Sequence, residues 1–290
     1  MLFRDYDQTG LDRQYDQRVW AANAEQVIRR YADNSDRVRQ RLGEPLVFAY
    51  GDSAAETLDL YPGTANPAPI HLFIHGGAWR QLDKGSSAFA AENFVANGAH
   101  FIAADFALLP TVTLAEMVAQ VRRAIAWTYR NADRFGGDRE RIHVSGHSSG
   151  AHLAACVAVT DWRTEFGLPG DIVKSVICAS GIYDLLPVRL SARNLYVKLD
   201  EAAEQALSPI RHLDRLAAPV HVAIGERESD EFKRQARSFA AALGPALVAP
   251  LAELASLNHF EVAETLADPT GGLGGTALAL MKGSLMHPAA

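Results

Sequence analysis

Hydrophobic and polar positions divide the chain into a charged N-terminal part with a helical pattern and a longer part with recurring apolar runs. In residues 1–44, apolar side chains are spaced as on one face of a helix. They are Leu11, Tyr15, Val19, Trp20, Val27, Ile28 and Tyr31. The pattern predicts two helices, or one helix with an irregular segment. We call residues 1–44 the N-terminal arm.

From Pro45 onward, short apolar runs alternate with segments of helix length. The predicted strands cover residues 46–50, 57–61, 70–74, 100–104, 142–145, 173–179, 220–225 and 247–251. Turn residues surround the first two strands, which indicates an antiparallel pair at the edge of a sheet. Strands that alternate with helices predict the α/β class, with a mostly parallel sheet of about eight strands and helices on both faces.

One helix in this region has clear start and stop signals. Thr113 and Glu116 have the spacing of a capping box, and Gly136-Gly137 is a stop signal. Apolar residues on one face follow the cap, at Leu114, Met117, Val118, Val121 and Ile125. Residues 183–212 exceed the length of a simple crossover, and we expect them to form part of a lid. The whole chain, 1–290, fits one domain.

Composition excludes several classes of protein. Hydrophobic residues make up 48% of the chain and charged residues 21%, as in globular proteins, and the net charge is -6. Lys and Arg are scattered among Asp and Glu, so no basic patch indicates a nucleic-acid partner. Cys156 and Cys178 lie in apolar runs, which favours buried thiols over a disulfide. With no secretory signal and no apolar run of membrane-spanning length, we expect a cytoplasmic protein without a membrane partner.

The strongest chemical signal is the pattern Gly146-x-Ser148-x-Gly150. It follows a predicted strand and begins an apolar helix, which is the context of a nucleophile elbow. The turn is tight, so small residues must flank the serine, and the helix N-terminus provides free N–H groups. The pattern predicts Ser148 as a nucleophile and the N–H of Ser149 as an oxyanion donor.

A glycine-rich loop, His75-Gly76-Gly77-Ala78-Trp79, comes directly after the strand at 70–74. In hydrolases with a nucleophile elbow, such a loop donates backbone N–H groups to the developing oxyanion. Glycine lets the backbone approach the substrate closely. The expected donors are Gly77 and, in support, Gly76.

An acid and a base are expected after the serine, in that order. The loop after the strand at 220–225 carries four carboxylates, of which Glu228 and Asp230 are the candidates. Two histidines follow it, and His259 lies after the last predicted strand whereas His287 lies in a polar tail. We therefore expect His259 to be the base. A metal site at His143, His147 and His152 is disfavoured, because no metal-binding spacing occurs among them.

These motifs resemble the arylformamidase (kynurenine formamidase) branch of the α/β hydrolases, with its HGGxW loop. The similarity includes the loop at 75–79, the elbow at 146–153, Glu231-Phe232 with Gln235, and the segments 11–15, 50–52 and 58–61. It implies an α/β-hydrolase fold and an enzyme that needs no cofactor.

The resemblance also separates the two candidate acids. In this family the acid stands three positions after the glycine that ends its strand, which is Glu228 here, although the family more often has Asp. The family's histidine precedes a phenylalanine, as His259 does, and Ser149 stands where alanine is common. Tyrosine-rich arms help to close the site in such enzymes, which makes Tyr15 a candidate.

Three functions remain open. The resemblance implies an amidase that removes a small acyl group from an aryl amine, with Trp79, Tyr183, Phe260 and Tyr15 as candidate substrate-binding residues. A carboxylesterase for short acyl esters would use the same groups. A binding protein that kept the fold is the third option. The expected partner is a small amide or ester substrate, and a homodimer is also an option.

Overall fold

The computed structural model describes residues 1–285, and its centre is an eight-stranded sheet. The strands are β1 Leu46–Ala49, β2 Thr57–Tyr61, β3 Ala68–Ile74, β4 His100–Ala104, β5 Gly137–His147, β6 Val173–Ala179, β7 Val220–Gly225 and β8 Ala252–Leu254. Their order in the sheet is β1-β2-β4-β3-β5-β6-β7-β8. β2 pairs antiparallel with β1 and β4, and the other pairs are parallel. The predicted fold class is confirmed.

The last strand is the one that the sequence pattern misplaces. The prediction was residues 247–251, whereas β8 covers Ala252–Leu254. Leu247 makes only an isolated bridge to Val220. Pro250 has no backbone N–H to donate to a ladder, so an apolar run that contains it is a poor strand. β5 is longer than predicted, because it begins five residues before the predicted start at residue 142.

The parallel register brings the carboxyl ends of four strands together. Ile74 of β3 pairs with Gly146 of β5, and His147 at the end of β5 pairs with Ala179 of β6. Ala179 pairs in turn with Ala223 of β7. Ligands of open α/β sheets bind in the crevice beyond the carboxyl ends of the strands. The loops that follow β3, β5, β6 and β7 therefore face one another at this edge.

Helices cover both faces of the sheet. They are α1 Gln8–Tyr15, α2 Ala24–Leu42, α3 Ala91–Ala96, α4 Leu114–Asn131, α5 Ser149–Ala158, α6 Trp162–Phe166, α7 Leu186–Leu190, α8 Asn194–Val197, α9 Glu201–Leu207, α10 Asp230–Leu243, α11 His259–Glu264 and α12 Gly272–Met281. Side chains of α4, α5 and α10 join one hydrophobic cluster, and those of α2, α3, α11 and α12 join another. Along β3, Leu72 and Ile74 belong to the first cluster and Phe73 to the second. This alternation is expected of a strand covered on both sides.

The cap of α4 is only half of the predicted capping box. The Thr113 side chain accepts a hydrogen bond from the N–H of Glu116. The Glu116 carboxylate does not return this bond, because it accepts from Arg123 at 2.6 Å. A short 3-10 turn, Ala132–Phe135, extends the helix to Gly136, which ends it with a φ of 73°.

The N-terminal arm folds back over the carboxyl edge of the sheet. It contains α1, the 3-10 turn Gln17–Trp20 and α2, as the helical spacing predicted. The Gln17 amide donates to the Ser229 hydroxyl at 2.8 Å, and the Gln14 amide oxygen accepts from the N–H of Glu231 at 3.1 Å. These buried contacts fasten the arm to the start of α10.

The segment 183–212 contains three short helices, α7 to α9, and the 3-10 turn Pro209–Arg211. Its Arg193 side chain donates to the carbonyl of Tyr15 at 2.5 Å, so the segment contacts the N-terminal arm. Within the described residues, no helix combines the length and the apolar character needed to cross a membrane. Cys156 and Cys178 are buried free thiols, as expected.

Candidate active site

Ser148 lies at a sharp turn between β5 and α5, with φ 57° and ψ -122°. Few residues other than glycine adopt a positive φ, and such strain is typical of a nucleophile elbow. Gly146 and Gly150, on either side of the serine, have no room for a side chain. A Cβ on Gly146 would lie 2.1 Å from the carbonyl oxygen of Gly150, and one on Gly150 would lie 2.2 Å from that of Ile74. The strand and the helix can therefore approach closely enough to present Ser148 at the sheet edge.

A chain of hydrogen bonds joins Ser148, His259 and Glu228. Nε2 of His259 lies 2.9 Å from Oγ of Ser148, and Nδ1 of His259 lies 2.7 Å from Oε2 of Glu228. His259 is the first residue of α11, where the Asn258 side chain caps the helix and fixes the histidine backbone. All three side chains are buried. This arrangement could activate the serine hydroxyl by removing its proton.

The structure brings Glu228, rather than Asp230, to the histidine. Oε1 of Glu228 accepts hydrogen bonds from the Ser180 hydroxyl at 2.5 Å and from the N–H of Gly225 at 2.8 Å, which leaves Oε2 for His259. Asp230 is exposed at the start of α10. Ser180, which follows β6 with a φ of 54°, was not among the predicted site residues. His287, the alternative base, lies outside the described residues.

His147 is a second residue that sequence reasoning missed. Its Nε2 lies 2.7 Å from the carbonyl oxygen of His259. Burial, together with the neighbouring His259, lowers the pKa of His147 to about 3. The ring is therefore neutral at physiological pH and donates its Nε2 proton to that carbonyl. Its position immediately before the elbow serine was the available signal.

The glycine-rich loop turns beside the elbow. Gly77 has a φ of 103°, and a Cβ there would lie 2.0 Å from the carbonyl oxygen of Gln81. A Cβ on Gly76 would lie 3.1 Å from that of Ser148. Within residues 1–285, the backbone N–H groups of Gly76, Gly77 and Ser149 have no hydrogen-bond acceptor. They are available to a ligand beside Ser148.

The Ser149 side chain fastens this loop. Its hydroxyl oxygen accepts a hydrogen bond from the N–H of Trp79 at 3.1 Å. The Trp79 carbonyl accepts from the N–H of Leu109 at 2.8 Å, and its indole N–H points to Nδ1 of His152 at 3.4 Å. These contacts hold Ala78 and Trp79 at φ values of 54° and 63°. These hydrogen bonds therefore fix the backbone conformation of the loop.

A cavity of about 80 Å³ opens on Ser148. Its lining residues are Tyr15, Asp16, Gln17, Arg18, Ile28, Tyr31, Gly77, Ala78, Gln81, Leu82, His147, Ser148, Arg193, His259 and Phe260. Many of them belong to the N-terminal arm, which therefore forms one wall. Tyr15 and Phe260, two of the candidate substrate-binding residues, are in this lining. Tyr31 was not expected in the site, and its hydroxyl donates to the Phe260 carbonyl at 2.5 Å.

Two expected wall residues do not line the cavity. The Tyr183 ring stacks on Phe239 at 4.0 Å between centroids, and its hydroxyl donates to the Cys178 carbonyl. Trp79 is 1% exposed and packs edge-on against His152. Both residues are core, because each is covered by helices on the face of α5 and α10.

The histidines considered for a metal site have separate partners. Nδ1 of His143 pairs with the Ser175 hydroxyl, and Nε2 of His152 with the Leu207 carbonyl, each at 2.8 Å. In the part of the chain that the structure describes, no group of three His, Cys, Asp or Glu side chains is placed to hold a metal ion.

The sheet order and the serine elbow at the end of β5 define an α/β hydrolase. A sequence model of the BD-FAE family matches residues 58–243. The chain belongs to that family.

Curated relatives and solved structures extend the comparison. The chain is 32% identical over 272 residues to a kynurenine formamidase of Danio rerio, which covers 89% of this chain and 91% of that protein. It is 32% identical over 213 residues to esterase LipC of Mycobacterium tuberculosis, covering 66% and 52% of the two chains. A crystal structure from Silicibacter sp. TM1040 superposes with a TM-score of 0.83 at 27% identity, covering 93% and 99%. An esterase from Pyrobaculum calidifontis shares the fold, with a TM-score of 0.69 at 19% identity and coverage of 93% and 96%.

Proposed function

We propose that this chain is a serine hydrolase that cleaves a small acyl group from an aryl amide through an acyl-enzyme. One observation carries the proposal: the hydrogen-bonded chain Ser148–His259–Glu228 opens on a small cavity with aromatic walls. The similarity to kynurenine formamidases along most of the chain supports the choice of an amide.

In the first half of the reaction, Nε2 of His259 takes the proton of Ser148 as Oγ attacks the carbonyl carbon. Glu228 accepts the hydrogen bond from Nδ1, which fixes the tautomer and stabilises the imidazolium. His259 then protonates the leaving nitrogen as the C–N bond breaks. In the second half, His259 deprotonates a water molecule as the water attacks the acyl carbon. The C–Oγ bond then breaks, His259 returns the proton to Oγ of Ser148, and the acid leaves.

The negative charge that develops on the carbonyl oxygen needs preset donors. The N–H groups of Gly77 and Ser149, with Gly76 in support, have no internal acceptor and lie beside Ser148. Loss of one such donor costs about 3–4 kcal/mol in transition-state energy in a serine hydrolase. Gly76 and Gly77 belong to a loop that the hydrogen bond between Trp79 and Ser149 holds in place, and the Ser149 N–H is fixed at the start of α5. The donors therefore need no reorganisation during the reaction.

The dimensions of the cavity support a small acyl group. The cavity at Ser148, of about 80 Å³, is narrow, which suits a small group at the reacting carbon. Tyr15, Tyr31 and Phe260 form aromatic parts of the wall, and aromatic rings pack favourably on one another. An aryl leaving group suits this surface.

A carboxylesterase for short acyl esters is the second candidate. Esterase LipC and other curated esterases are among the relatives, and the same nucleophile, base and donors serve ester hydrolysis. An ester differs mainly in its leaving group, which needs less help from a proton donor than an amine does. Activity on esters alone would therefore favour this function.

The test is kcat/KM for N-formyl-L-kynurenine beside p-nitrophenyl acetate, with Ser148→Ala as the blank. Turnover of the formamide that depends on Ser148 supports the amidase. Turnover of the acetate alone would overturn an arylformamidase and leave an esterase, or an amidase for another acyl aryl amine. Equal thermal melting of the wild type and the variant shows that the variant has lost chemistry rather than fold. Activity that persists in a folded Ser148→Ala protein would contradict both functions.

A further inference from the structure

The first turn of α11, which carries the candidate base, is held by a capping box. The Asn258 side chain is 6% exposed and accepts hydrogen bonds from the N–H groups of Phe260 at 3.0 Å and Glu261 at 3.2 Å. The Glu261 carboxylate completes the box, because its Oε2 accepts from the N–H of Asn258 at 3.0 Å. A capping box fixes the first turn of a helix. His259 lies inside this turn, so the orientation of its backbone depends on the box.

The side-chain atoms that the capping box leaves free bond to the N-terminal arm. Nδ2 of Asn258 donates to Oδ1 of Asn23 at 2.8 Å, and Nδ2 of Asn23 donates to Oε1 of Glu261 at 2.7 Å. Asn23 and Asn258 are 235 positions apart in sequence. Asn23 thus gives its acceptor to one residue of the box and its donor to the other. The three residues form a closed cycle of hydrogen bonds.

Asn23 does not cap its own helix. It stands immediately before α2, where an asparagine side chain usually accepts from the first N–H groups of the helix. Within residues 1–285, its side chain makes no such bond. The half-buried amide is directed to α11 instead, and both of its polar atoms are bonded there. A local capping preference therefore does not account for this side chain.

A second contact joins the same two helices at the other end of α11. Arg30 of α2 pairs with Glu264, the last residue of α11, through two hydrogen bonds. Glu264 lies more than one helical turn after His259, so this pair does not touch the capping box. The two contacts allow attachment of the arm to be distinguished from orientation of the histidine.

We propose that Asn23 is a positioning residue for the catalytic base, which it holds through the capping box at Asn258. The inference rests on the proposed function, since it needs His259 to act on Ser148. Nε2 of His259 lies 2.9 Å from Oγ of Ser148, and proton transfer in both halves of the reaction depends on the position of this ring. Small misplacement of a catalytic group lowers the rate greatly. The arm that lines the cavity is thus also part of the framework that holds the base.

Exchange of the donor and the acceptor tests this role. Asn23→Asp keeps the acceptor for Asn258 but brings a second carboxylate to that of Glu261, which breaks the cycle of hydrogen bonds. For p-nitrophenyl acetate, kcat should fall about 10-fold or more while KM stays within about 3-fold.

The double variant Asn23→Asp with Glu261→Gln restores the cycle and leaves the net charge unchanged. The amide nitrogen of the new side chain at position 261 can donate to the carboxylate at position 23, and its oxygen can accept from the N–H of Asn258. Because the two positions act on each other directly, kcat should return to within about 3-fold of the wild type. A folded double variant whose kcat stays at the level of Asn23→Asp would contradict the inference.

Arg30→Met is the matched control, because it removes a contact between the same helices away from the capping box. It should lower the melting temperature and change kcat by less than about 2-fold, as expected of a separate site. An Asn23→Asp protein that melts like Arg30→Met and keeps the wild-type kcat would overturn the inference, since Asn23 would then contribute to stability alone.

Reaction with paraoxon separates this inference from the proposed function. Oγ of Ser148 attacks phosphorus, the bond from phosphorus to p-nitrophenolate breaks, and His259 takes the serine proton. The rate constant for this release reports on Ser148 and His259 without an amide or a carboxylic ester. A decrease in Asn23→Asp that the double variant reverses would support the inference even if the wild type hydrolysed neither formamide nor acetate. Equal rate constants in the three proteins would overturn it, whichever substrate the wild type hydrolyses.

Discussion

Nε2 of His147 lies 2.7 Å from the carbonyl oxygen of His259, so the residue before the elbow serine holds the backbone of the candidate base. The two rings are 4.9 Å apart. One hydrogen bond thus joins the turn after β5 to the start of α11, residues that are 112 positions apart in sequence. The distance between Ser148 and His259 therefore depends on this hydrogen bond.

His147→Ala should lower kcat by about 10- to 100-fold while changing KM little, because small misplacement of a catalytic group is costly. His147→Gln places an amide donor near the Nε2 position and should recover part of the rate. Steady-state kinetics on p-nitrophenyl acetate measures both constants. His143→Gln, on the same strand, is the matched control for loss of a buried imidazole. A larger effect on KM than on kcat in His147→Ala would count against a positioning role.

Glu228→Gln should lower kcat by about 10³- to 10⁴-fold, as loss of the orienting carboxylate does in serine proteases. The amide can present its N–H₂ group to Nδ1 and favour the wrong tautomer. Asp230→Asn, two positions along the chain and exposed, should keep more than half of the activity. The comparison is made by stopped-flow measurement of acylation. A reversed order of the two variants would show that Asp230 is the acid after all.

Ser149→Ala removes the hydroxyl that accepts from the N–H of Trp79 but keeps the N–H proposed to hold the oxyanion. The loss of a buried hydrogen bond costs about 1 kcal/mol, so kcat should fall about 5-fold if the loop loosens. Ser86→Ala, at the remote 3-10 turn Lys84–Ala90, is the control. Unchanged kcat with a lowered melting temperature would instead indicate a role confined to stability.

Buried histidines should make the free energy of unfolding depend on pH. Burial lowers the pKa of His221 to about 4, below the ordinary value of 6.5. Between these values the unfolded chain binds more protons than the folded one, so the free energy of unfolding falls as pH drops from about 6.5 toward 4. By this linkage, His221 should account for about 2 kcal/mol of the loss between pH 7.5 and pH 5.

Urea melts of the wild type and His221→Leu at pH 7.5 and pH 5 measure this contribution. The variant should lose about 2 kcal/mol less than the wild type between the two pH values. Parallel losses in the two proteins would mean that the histidine is protonated in the folded state. His212→Leu, at a half-buried histidine between two 3-10 turns, serves as the comparison.

The parts of the site that local sequence specifies were predictable. The elbow at Ser148 and the loop at Gly76-Gly77 are short motifs, and each fixes its own backbone. The acid was not specified locally, because four carboxylates share one loop. Family spacing pointed to Glu228, and the structure places that side chain beside His259.

Other features depend on contacts between distant segments, which no local pattern contains. Ser180 and Glu228 are 48 positions apart, and Arg193 and Tyr15 are 178 positions apart. Trp79 and Tyr183 were assigned to the cavity because aromatic residues suit both a wall and a core, and only packing distinguishes the two. The misplaced β8 has a similar cause, because an apolar run does not show where its N–H donors are needed.

Residues with an unusual backbone conformation are concentrated around the cavity. Eight residues other than glycine have a positive φ within residues 1–285, and five of them, Ala78, Trp79, Leu82, Ser148 and Ser180, lie in or beside this site. Each such conformation costs of order 1 kcal/mol or more. Engineering for heat resistance that relaxed these positions to glycine would remove the side chains and the rigid backbone on which the proposed chemistry depends. Substitutions that raise thermostability at these five positions should therefore lower turnover. Stabilising substitutions are better placed elsewhere in the chain.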